Sequence, residues 1–542
     1  MAEGGVALPP VVLDRARMRA EIEADPDFDV VVIGGGITGA GTFRDLALQG
    51  LRVLLVERAD FASGASGALT RIAHGGFRYL ERGEIALVRD SVIERDRLVA
   101  NAPHAVRPIS VVLPLSSWFA GLLGAPLRFL KLDKRKGGLP GIVPMAIGRR
   151  LYDALAGKAH ALPAGRILTG RGLAARFPYL AGRWTGALEL GEARILMPER
   201  VAIELIEDGV AAGSRSAALN YCAVTGVEDG RIVLHDALDG VTRAVHAEVM
   251  VNAAGAHADS VAALFGVQDK MTGGVAGVHL VLDAPRLAAA LGDDLLFFED
   301  ANPDPAKRRL NIGYRLAENR VLLGTTESDC PDPDAARLTD EDVRYLKGAL
   351  AAALPGLGVA EAPVVGHLVG VRPLVRSNAE SLASRSRDHA VFVHRTPLPL
   401  VTIIGGKWTT FRRMAEDAAD SVLDILGRAR RVSTRDLAIG GGAGYPRSAA
   451  EREAIVDGLA QSAGIGLDRA AELFDRYGTR ARGIAAWVRA YAGESEMAGT
   501  RLSAGEIAFF RAAEMAVSDA DVIKRRSDAW QTLPASDADA RQ

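Results

Sequence analysis

Cysteine is almost missing from this chain of 542 residues: Cys222 and Cys330 stand far apart, outside any Cys-x-x-Cys or Cys/His spacing. That excludes a disulfide framework and signals no metal site, so a reducing compartment is expected. Excess charge is missing as well, since 65 basic residues face 67 acidic ones and leave a formal charge of −2. A general nucleic-acid binder needs a basic face, so nucleic acid is not expected as a partner. No run reaches the roughly eighteen apolar residues of a spanning helix, and the opening MAEGGVALPPVVLDRARMRAEIEADP lacks the apolar core of a signal peptide. The expectation is a protein neither exported nor transmembrane. Internal repeats are also lacking. What remains is 49% hydrophobic and 24% charged, ordinary for a globular enzyme of two to four domains.

The chain is organised around DVVVIGGGITGAGTFRDLALQGLRVLLVE, from Asp29 to Glu57. Asp29 to Ile33 is almost wholly apolar and β-branched, as a strand buried on both faces of a parallel sheet requires. Gly34, Gly36 and Gly39 follow where that strand must turn into a helix. In such a turn the first glycine permits the bend, the second lets backbone amides approach a pyrophosphate, and the third lets helix and sheet pack closely. A second apolar strand, Val53 to Val56, ends at Glu57, where a carboxylate can accept ribose hydroxyls. A glycine-rich turn beside a surface glutamate is the plainer reading, but it leaves strand, helix and acid at these distances unexplained. No second unit of this kind exists, because GGVAGV at 273–278 and GGGAG at 440–444 lack the following helix or the preceding strand. One redox cofactor is therefore expected. Small residues at the strand ends around Ala254-Gly255 and Gly405-Gly406 suit a flavin dinucleotide, FAD, that extends across the sheet.

The fold class expected is α/β plus α+β: a Rossmann-like FAD-binding domain, an antiparallel-sheet substrate domain and a C-terminal helical domain. In detail, 1–26 reads as a loose extension, and 27–114 with 191–265 and 365–430 as the discontinuous FAD-binding domain. An insert at 115–190 is read as membrane-facing, 266–364 as the substrate domain, 437–530 as the helical domain and 531–542 as a disordered tail. After Glu57, Ser66 and Thr70 precede Arg71, His74, Arg78 and Tyr79, which crowd around Gly75-Gly76. Polar, titratable side chains beside a glycine pair soon after a cofactor motif suit a site wall. From Leu115 to Pro163, Trp118, Phe119 and Leu122 precede Lys131, Lys134, Arg135 and Lys136. Two readings stand there: an interfacial anchor with a basic flank, or a core helix followed by a solvated charge run. Further on, His279 lies at the start of the strand GVHLVL, Arg372 in HLVGVRPLVRS and Arg387 in SRSRDH. LVTIIGGKWTTFRR then brings Gly406, Lys407 and a helix opening at Thr409 or Thr410, whose N-terminus can face the cofactor.

The runs DFDVVVIGGGITGAG, DFASGASGALTRIAHGGFRYLERGE, NAPHAVRPISVVLP, GVRPLV, SRDH, GGKWTTFR, RYGTRA and AAEMAVSDADVIKRR resemble FAD-dependent glycerol-3-phosphate dehydrogenases of the aerobic, quinone-linked type. The likeness covers nearly the whole chain in order. It implies FAD as cofactor, oxidation of a small phosphorylated polyol by hydride transfer to the flavin, and re-oxidation by membrane quinone. A cytoplasmic protein held peripherally at the membrane follows, with a homodimer left open. Carried over by position, His74, His279, Arg372 and Lys407 would be catalytic, and Arg78, Tyr79 and Arg387 would bind substrate. Gly34, Gly36, Gly39, Glu57, Ser66, Thr70, Arg71, Ala254, Gly255, Gly406, Lys407 and Thr409 would hold the cofactor. Val275-Ala276-Gly277 departs from the family's Ser-Lys-Gly, and Ala256-His257 from its Pro-Trp. A four-carbon polyol phosphate such as erythritol phosphate is accordingly the rival substrate, and a non-catalytic flavoprotein the rival class. The chemistry itself asks for a base at the hydroxyl, for which His74 and His279 are the candidates. It also asks for cations near developing negative charge, such as Arg372 and Lys407, and for guanidinium groups at a phosphate, such as Arg78 and Arg387.

Overall fold

Val30, Val31 and Val32 lie beside Val53, Leu54 and Leu55 on parallel strands, all without solvent contact. Runs of this kind demand a sheet covered on both faces. The computed structural model describes residues 13–120, 139–156, 162–163, 165–213, 215–300, 302–304, 308–376, 387–396, 398–491 and 500–533. Its first sheet is centred on Asp27–Ile33, with Val53–Val56 parallel on one side and Thr242–Asn252 parallel on the other. Leu400–Gly405 continues in parallel beyond Thr242–Asn252, and His389–His394 closes that edge antiparallel. Ala217–Leu219 pairs outside Val53–Val56. The helices Ile37–Leu48, Pro198–Ala211 and Phe411–Ile425 complete one apolar core with this sheet, through residues such as Phe43, Ile203 and Phe411.

The second sheet joins that core at one end, through Ala73, Val106, Ala193 and Ile195, and elsewhere packs on cores of its own. Its strands run in the order Ser328–Asp329, Thr272–Asp283, Arg320–Gly324, Leu310–Ala317, Asp294–Glu299, Val106–Leu115, Gly186–Ile195 and Ile72–Ala73. Val364–Val375 pairs along Thr272–Asp283, and Arg166–Thr169 along Gly186–Ile195. All pairings are antiparallel except that of Asp294–Glu299 with Val106–Leu115. The antiparallel sheet expected over 266–364 is therefore present, but it is wider than those bounds. Val106–Leu115 and Val364–Val375 belong to it rather than to the nucleotide sheet, and 166–169 and 186–195 make the proposed insert part of it. The boundaries at 115, 190 and 365 are corrected accordingly, since strand pairing across 70 or more residues leaves no local mark in the sequence.

Two further expectations change. Residues 13–24 are not loose: the helix Arg15–Ala24, capped by Asp14, buries Met18 and Ile22, and Arg15 pairs with Asp236 at 2.8 Å. His279 sits in the middle of Thr272–Asp283, opposite both Gly324 and Leu368. The glycine-rich run before it, Gly273-Gly274, is part of the same strand. Within the last stretch, Ala529–Gln531 packs as a turn and Leu533 is buried, while 534–542 lies outside the described residues.

The helices Ala449–Ala463, Leu467–Tyr477, Ala481–Tyr491 and Ala504–Ala513 share their own core through Leu473, Phe474, Val488, Phe509 and Phe510. They dock on the nucleotide layer through buried ion pairs. Arg200 donates to both oxygens of Glu514, at 2.6 and 2.8 Å, and Arg526 to both oxygens of Asp60, at 2.8 and 2.9 Å. Two-pronged guanidinium–carboxylate geometry of this kind fixes orientation as well as contact.

Candidate active site

Between the two sheets opens a cavity of about 2800 Å³. That is several times the roughly 300–1,000 Å³ of an ordinary small-ligand pocket, so it can accept a dinucleotide and a substrate together. At one end is the glycine turn. Gly34 has φ +109°, and a side chain there would meet the Ala253 carbonyl oxygen at 2.6 Å. A Cβ on Gly39 would lie 1.8 Å from the Gly34 carbonyl oxygen, so only glycine lets the helix Ile37–Leu48 seat this close to the strand. Ser66 accepts the Ile37 N–H at 2.9 Å, ordering the small-residue loop against the helix start. Glu57 accepts the N–H groups of Gly35 at 2.7 Å and Ala59 at 2.9 Å. Burial still raises its carboxyl above the usual range, against the pull of those two amides. An open glycine cradle with a carboxylate at its side fits the pyrophosphate and ribose of a dinucleotide.

Of the residues named from the sequence, Gly34, Gly36, Glu57, Ser66, Thr70, Ala254, Gly255, Gly406 and Thr409 line this cavity together with His74, Tyr79, His279, Arg372, Arg387 and Lys407. Gly39 packs behind it. Arg71 does not reach it: the backbone takes φ +59°, and the guanidinium runs to the Leu196 carbonyl and Glu199, both at 2.7 Å, beneath the Trp530 ring. Its assignment to the cofactor is corrected, because its charge is already matched inside the protein. Arg78 belongs to the short helix Phe77–Arg82, and its side chain lies outside the described residues. So do Leu122 and the basic run Lys131 to Lys136.

The reactive end is rich in cations. His74 follows the edge strand Ile72–Ala73, with its backbone N–H directed to Thr409 Oγ1 at 3.3 Å, and the surface it keeps faces the cavity. Loss of water, then the charges of Lys407, Arg95 and Arg387, hold its imidazole down to about 3. His279 shares a hydrogen bond between Nε2 and Thr70 Oγ1 at 2.9 Å, while its buried Nδ1 has no partner among the described residues. Burial and then Arg372 hold it, too, at about 3. Both rings are therefore neutral at physiological pH. Lys407 Nζ is buried with no hydrogen-bond partner among the described residues and stands 5.2 Å over the Tyr79 ring. Desolvation pushes it down to about 7, against the attraction of Glu192, Asp388 and Glu84.

Sequence reasoning missed the carboxylates that hold this end together. Glu327 Oε1 accepts from Arg372 at 2.8 Å and from Arg387 at 2.7 Å. Behind Gly75, Glu192 accepts from Arg95 at 2.8 Å and from Tyr152 at 2.7 Å. The one available signal for Glu327 was its position just past a strand ending in glycine, in RVLLGTTE. Tyr152 and Glu192 carried none, since they meet from stretches read as separate.

The sequence profile of the family described as FAD dependent oxidoreductase matches residues 29–412, and that of the C-terminal domain of alpha-glycerophosphate oxidase matches 432–536. The chain is 30% identical over 527 residues to a protein named glycerol-3-phosphate dehydrogenase from Synechocystis, covering 92% of this chain and 88% of the relative. It is 30% identical over 488 residues to glycerol-3-phosphate dehydrogenase 1 of Mycobacterium tuberculosis, covering 88% and 86%. Among solved structures, the glycerol-3-phosphate dehydrogenase from Bacillus halodurans complexed with FAD aligns with a TM-score of 0.71 at 24% identity, over 96% of this chain and 89% of that one.

Proposed function

Because the chain belongs to the FAD-dependent oxidoreductases, and within them to the glycerol-3-phosphate dehydrogenases, we propose that it oxidises sn-glycerol 3-phosphate to dihydroxyacetone phosphate and passes the electrons to a membrane quinone. The observation that carries this reading is the meeting, in one cavity, of the dinucleotide cradle with two neutral histidines and three cationic side chains.

Oxidation of a secondary alcohol separates a hydride from carbon and a proton from oxygen. FAD, when bound, supplies the hydride acceptor. The chain must handle the proton and the charge. His74 and His279 are uncharged at neutral pH, so either imidazole presents a lone pair to the hydroxyl proton, and a bound phosphate, offsetting the nearby cations, raises both rings from about 3 toward useful basicity. As the O–H bond weakens, negative charge grows on that oxygen, and Lys407 and Arg372 stabilise it, with Arg372, which shares Glu327 with Arg387, also serving the phosphate. Arg387 grips the phosphate, with Tyr79 as a further contact. At neutral pH Lys407 stands near its own midpoint, and a bound anion draws it toward the charged form.

The quinone acceptor requires access to a membrane. Trp118 is 50% exposed and Phe119 64%, and the Trp118 carbonyl accepts the Val143 N–H at 3.0 Å, joining them to the helix Ile142–Ala156. On that helix Ile147 is 61% exposed, with Leu151 one turn on. Such an apolar patch suits shallow insertion into a lipid surface. Among the described residues no helix is long and apolar enough to cross a membrane.

The test is purified protein, an artificial electron acceptor and a panel of three- to five-carbon polyol phosphates. Fastest turnover of sn-glycerol 3-phosphate is expected. Four-carbon phosphates belong in the panel because Gly277, beside Arg372, adds no side chain to the cavity wall. Comparable rates for unphosphorylated glycerol and its phosphate would refute the assignment.

A further inference from the structure

Glu327 occupies the short segment between Arg320–Gly324 and Ser328–Asp329, and both of its neighbours are fixed. The Thr326 N–H donates to the Val278 carbonyl at 3.2 Å, the Thr326 hydroxyl accepts the Val278 N–H at 3.3 Å, and Ser328 pairs with Ala276. A carboxylate on so constrained a backbone cannot swing far. Its oxygen Oε1 receives both Arg372 and Arg387.

The two arginines come from different layers. Arg372 lies on Val364–Val375 of the second sheet, opposite Val275. Arg387 immediately precedes Asp388 and the strand His389–His394, at the edge of the first sheet. The Asp388 carbonyl in turn accepts the Gly406 N–H at 3.1 Å, in the turn that carries Lys407. A single oxygen atom therefore ties together the two walls of the cavity at the point where their cations meet. Left alone, the two guanidinium groups would repel, and neither would have a reason to keep its orientation. With Glu327 between them they hold a fixed mutual geometry and still leave one net positive charge.

We propose that Glu327 is a positioning residue that joins Arg372 and Arg387 into one anion clamp, so that a phosphorylated substrate is gripped from both sheets at once. This rests on the reading of the substrate given above. It predicts that the arginines act as a unit, although one belongs to each wall. The opposing idea is that the carboxylate competes with the substrate phosphate for the same guanidinium groups. The two ideas differ in sign.

The experiment uses FAD-loaded full-length protein with sn-glycerol 3-phosphate and an artificial acceptor, comparing wild type, Glu327→Gln, Arg387→Ala and the double variant. Glu327→Gln keeps the shape and an acceptor oxygen but loses the charge. We expect it to raise KM about tenfold or more, with FAD content and melting temperature unchanged. In the double variant KM should be within about twofold of Arg387→Ala alone, since the clamp can be broken only once. A lower KM in Glu327→Gln overturns the proposal, and so does simple multiplication of the two single effects. If wild type does not oxidise sn-glycerol 3-phosphate at all, the functional reading falls separately. Inorganic phosphate titrated against the flavin absorption band then reads the clamp: weaker binding in Glu327→Gln supports it, and an equal or absent response overturns it.

Discussion

Replacing Lys407 with methionine should make the protein more stable and the enzyme nearly inactive, and the stabilisation should depend on pH in a defined direction. The buried ammonium lacks a hydrogen-bond partner among the described residues and falls from its ordinary 10.5 to about 7. That difference corresponds to a ceiling of about 5 kcal/mol. Movement of the Tyr79 ring and water in the cavity reduce it, so about 1–3 kcal/mol is the working expectation. The sign follows from proton counting. Below pH 7 the lysine is charged in both states, and the folded state carries the whole desolvation penalty. Between pH 7 and 10.5 the unfolded chain holds the proton and the folded one releases it, so wild-type stability gains with rising pH.

The wild-type curve cannot isolate this gain. His389, between Asp388 at 3.4 Å and Asp417 at 2.9 Å, is raised to about 9. Its contribution is fully present below pH 6.5 and is lost as pH rises through 9, against the trend from Lys407. Subtracting wild type from Lys407→Met at each pH cancels the His389 part. Thermal melts of FAD-free protein at pH 6 and pH 9.5 should give a variant that melts a few degrees higher at pH 6, by a margin that shrinks at pH 9.5. A margin independent of pH, or a variant that melts lower at pH 6, refutes the reasoning. In the loaded enzyme, kcat with sn-glycerol 3-phosphate should fall about 10²-fold or more, as for loss of a preorganised charge.

Glu57→Ala should weaken FAD binding by about 1–3 kcal/mol, since it strands two backbone N–H groups besides removing the ribose acceptor; unchanged affinity in fluorescence titration moves the ribose contact elsewhere. Arg200→Met leaves Glu514 buried without its main partner and should cost about 3–5 kcal/mol. The double variant Arg200→Met/Glu514→Met should recover most of that loss, and a single variant that melts like wild type removes the ion pair from the docking argument. Trp118→Ser/Phe119→Ser should abolish sedimentation with anionic lipid vesicles at low salt while leaving FAD content unchanged. Equal sedimentation of variant and wild type would mean that this patch is not the membrane contact.

What was legible in the sequence was what the chain writes locally. Gly34, Gly39 and Glu57 could be read because a strand, its turn and the next strand end lie within thirty residues. The cluster from His74 to Tyr79 could be read for the same reason, as chemistry gathered around one glycine pair. Arg71 looked like a member of that cluster, but its partner Glu199 is 128 positions away and draws it to the opposite side. Glu327 stayed hidden because its meaning lies in two arginines 45 and 60 residues further on. The wide second sheet escaped because Val106–Leu115 and Gly186–Ile195 pair across a stretch that reads as an insert. His279 was set at the start of GVHLVL, whereas the strand begins at Thr272 and runs through Gly273-Gly274, which face Leu374 and Pro373 about 100 residues on. In each case the missing quantity was long-range pairing.

A buried cation with no hydrogen-bond partner among the described residues persists only where its surroundings over-determine its position, and the turn around Lys407 meets that condition. The Gly406 N–H is held by the Asp388 carbonyl, and the Lys407 N–H faces Thr410 Oγ1 at 3.3 Å while that hydroxyl donates back to the Lys407 carbonyl at 3.1 Å. The His389 imidazolium, charged through neutral pH, links Asp388 to Asp417 on the helix Phe411–Ile425. The backbone of Lys407 is thus fixed from strand and helix at once, so that its side chain is aimed into the cavity. Ordering of this kind is what a preorganised electrostatic group needs: the cost of burying the charge is met in folding, by elements that do no chemistry, and none of it has to be met when substrate arrives. Removing the brace should therefore act on rate more than on binding. His389→Ala leaves Asp388 and Asp417 unjoined but touches no substrate group, so kcat should fall about tenfold with KM little changed, and the melting temperature should fall only at pH values where the imidazolium was charged. A His389→Ala enzyme with wild-type kcat would show that the turn holds Lys407 without it.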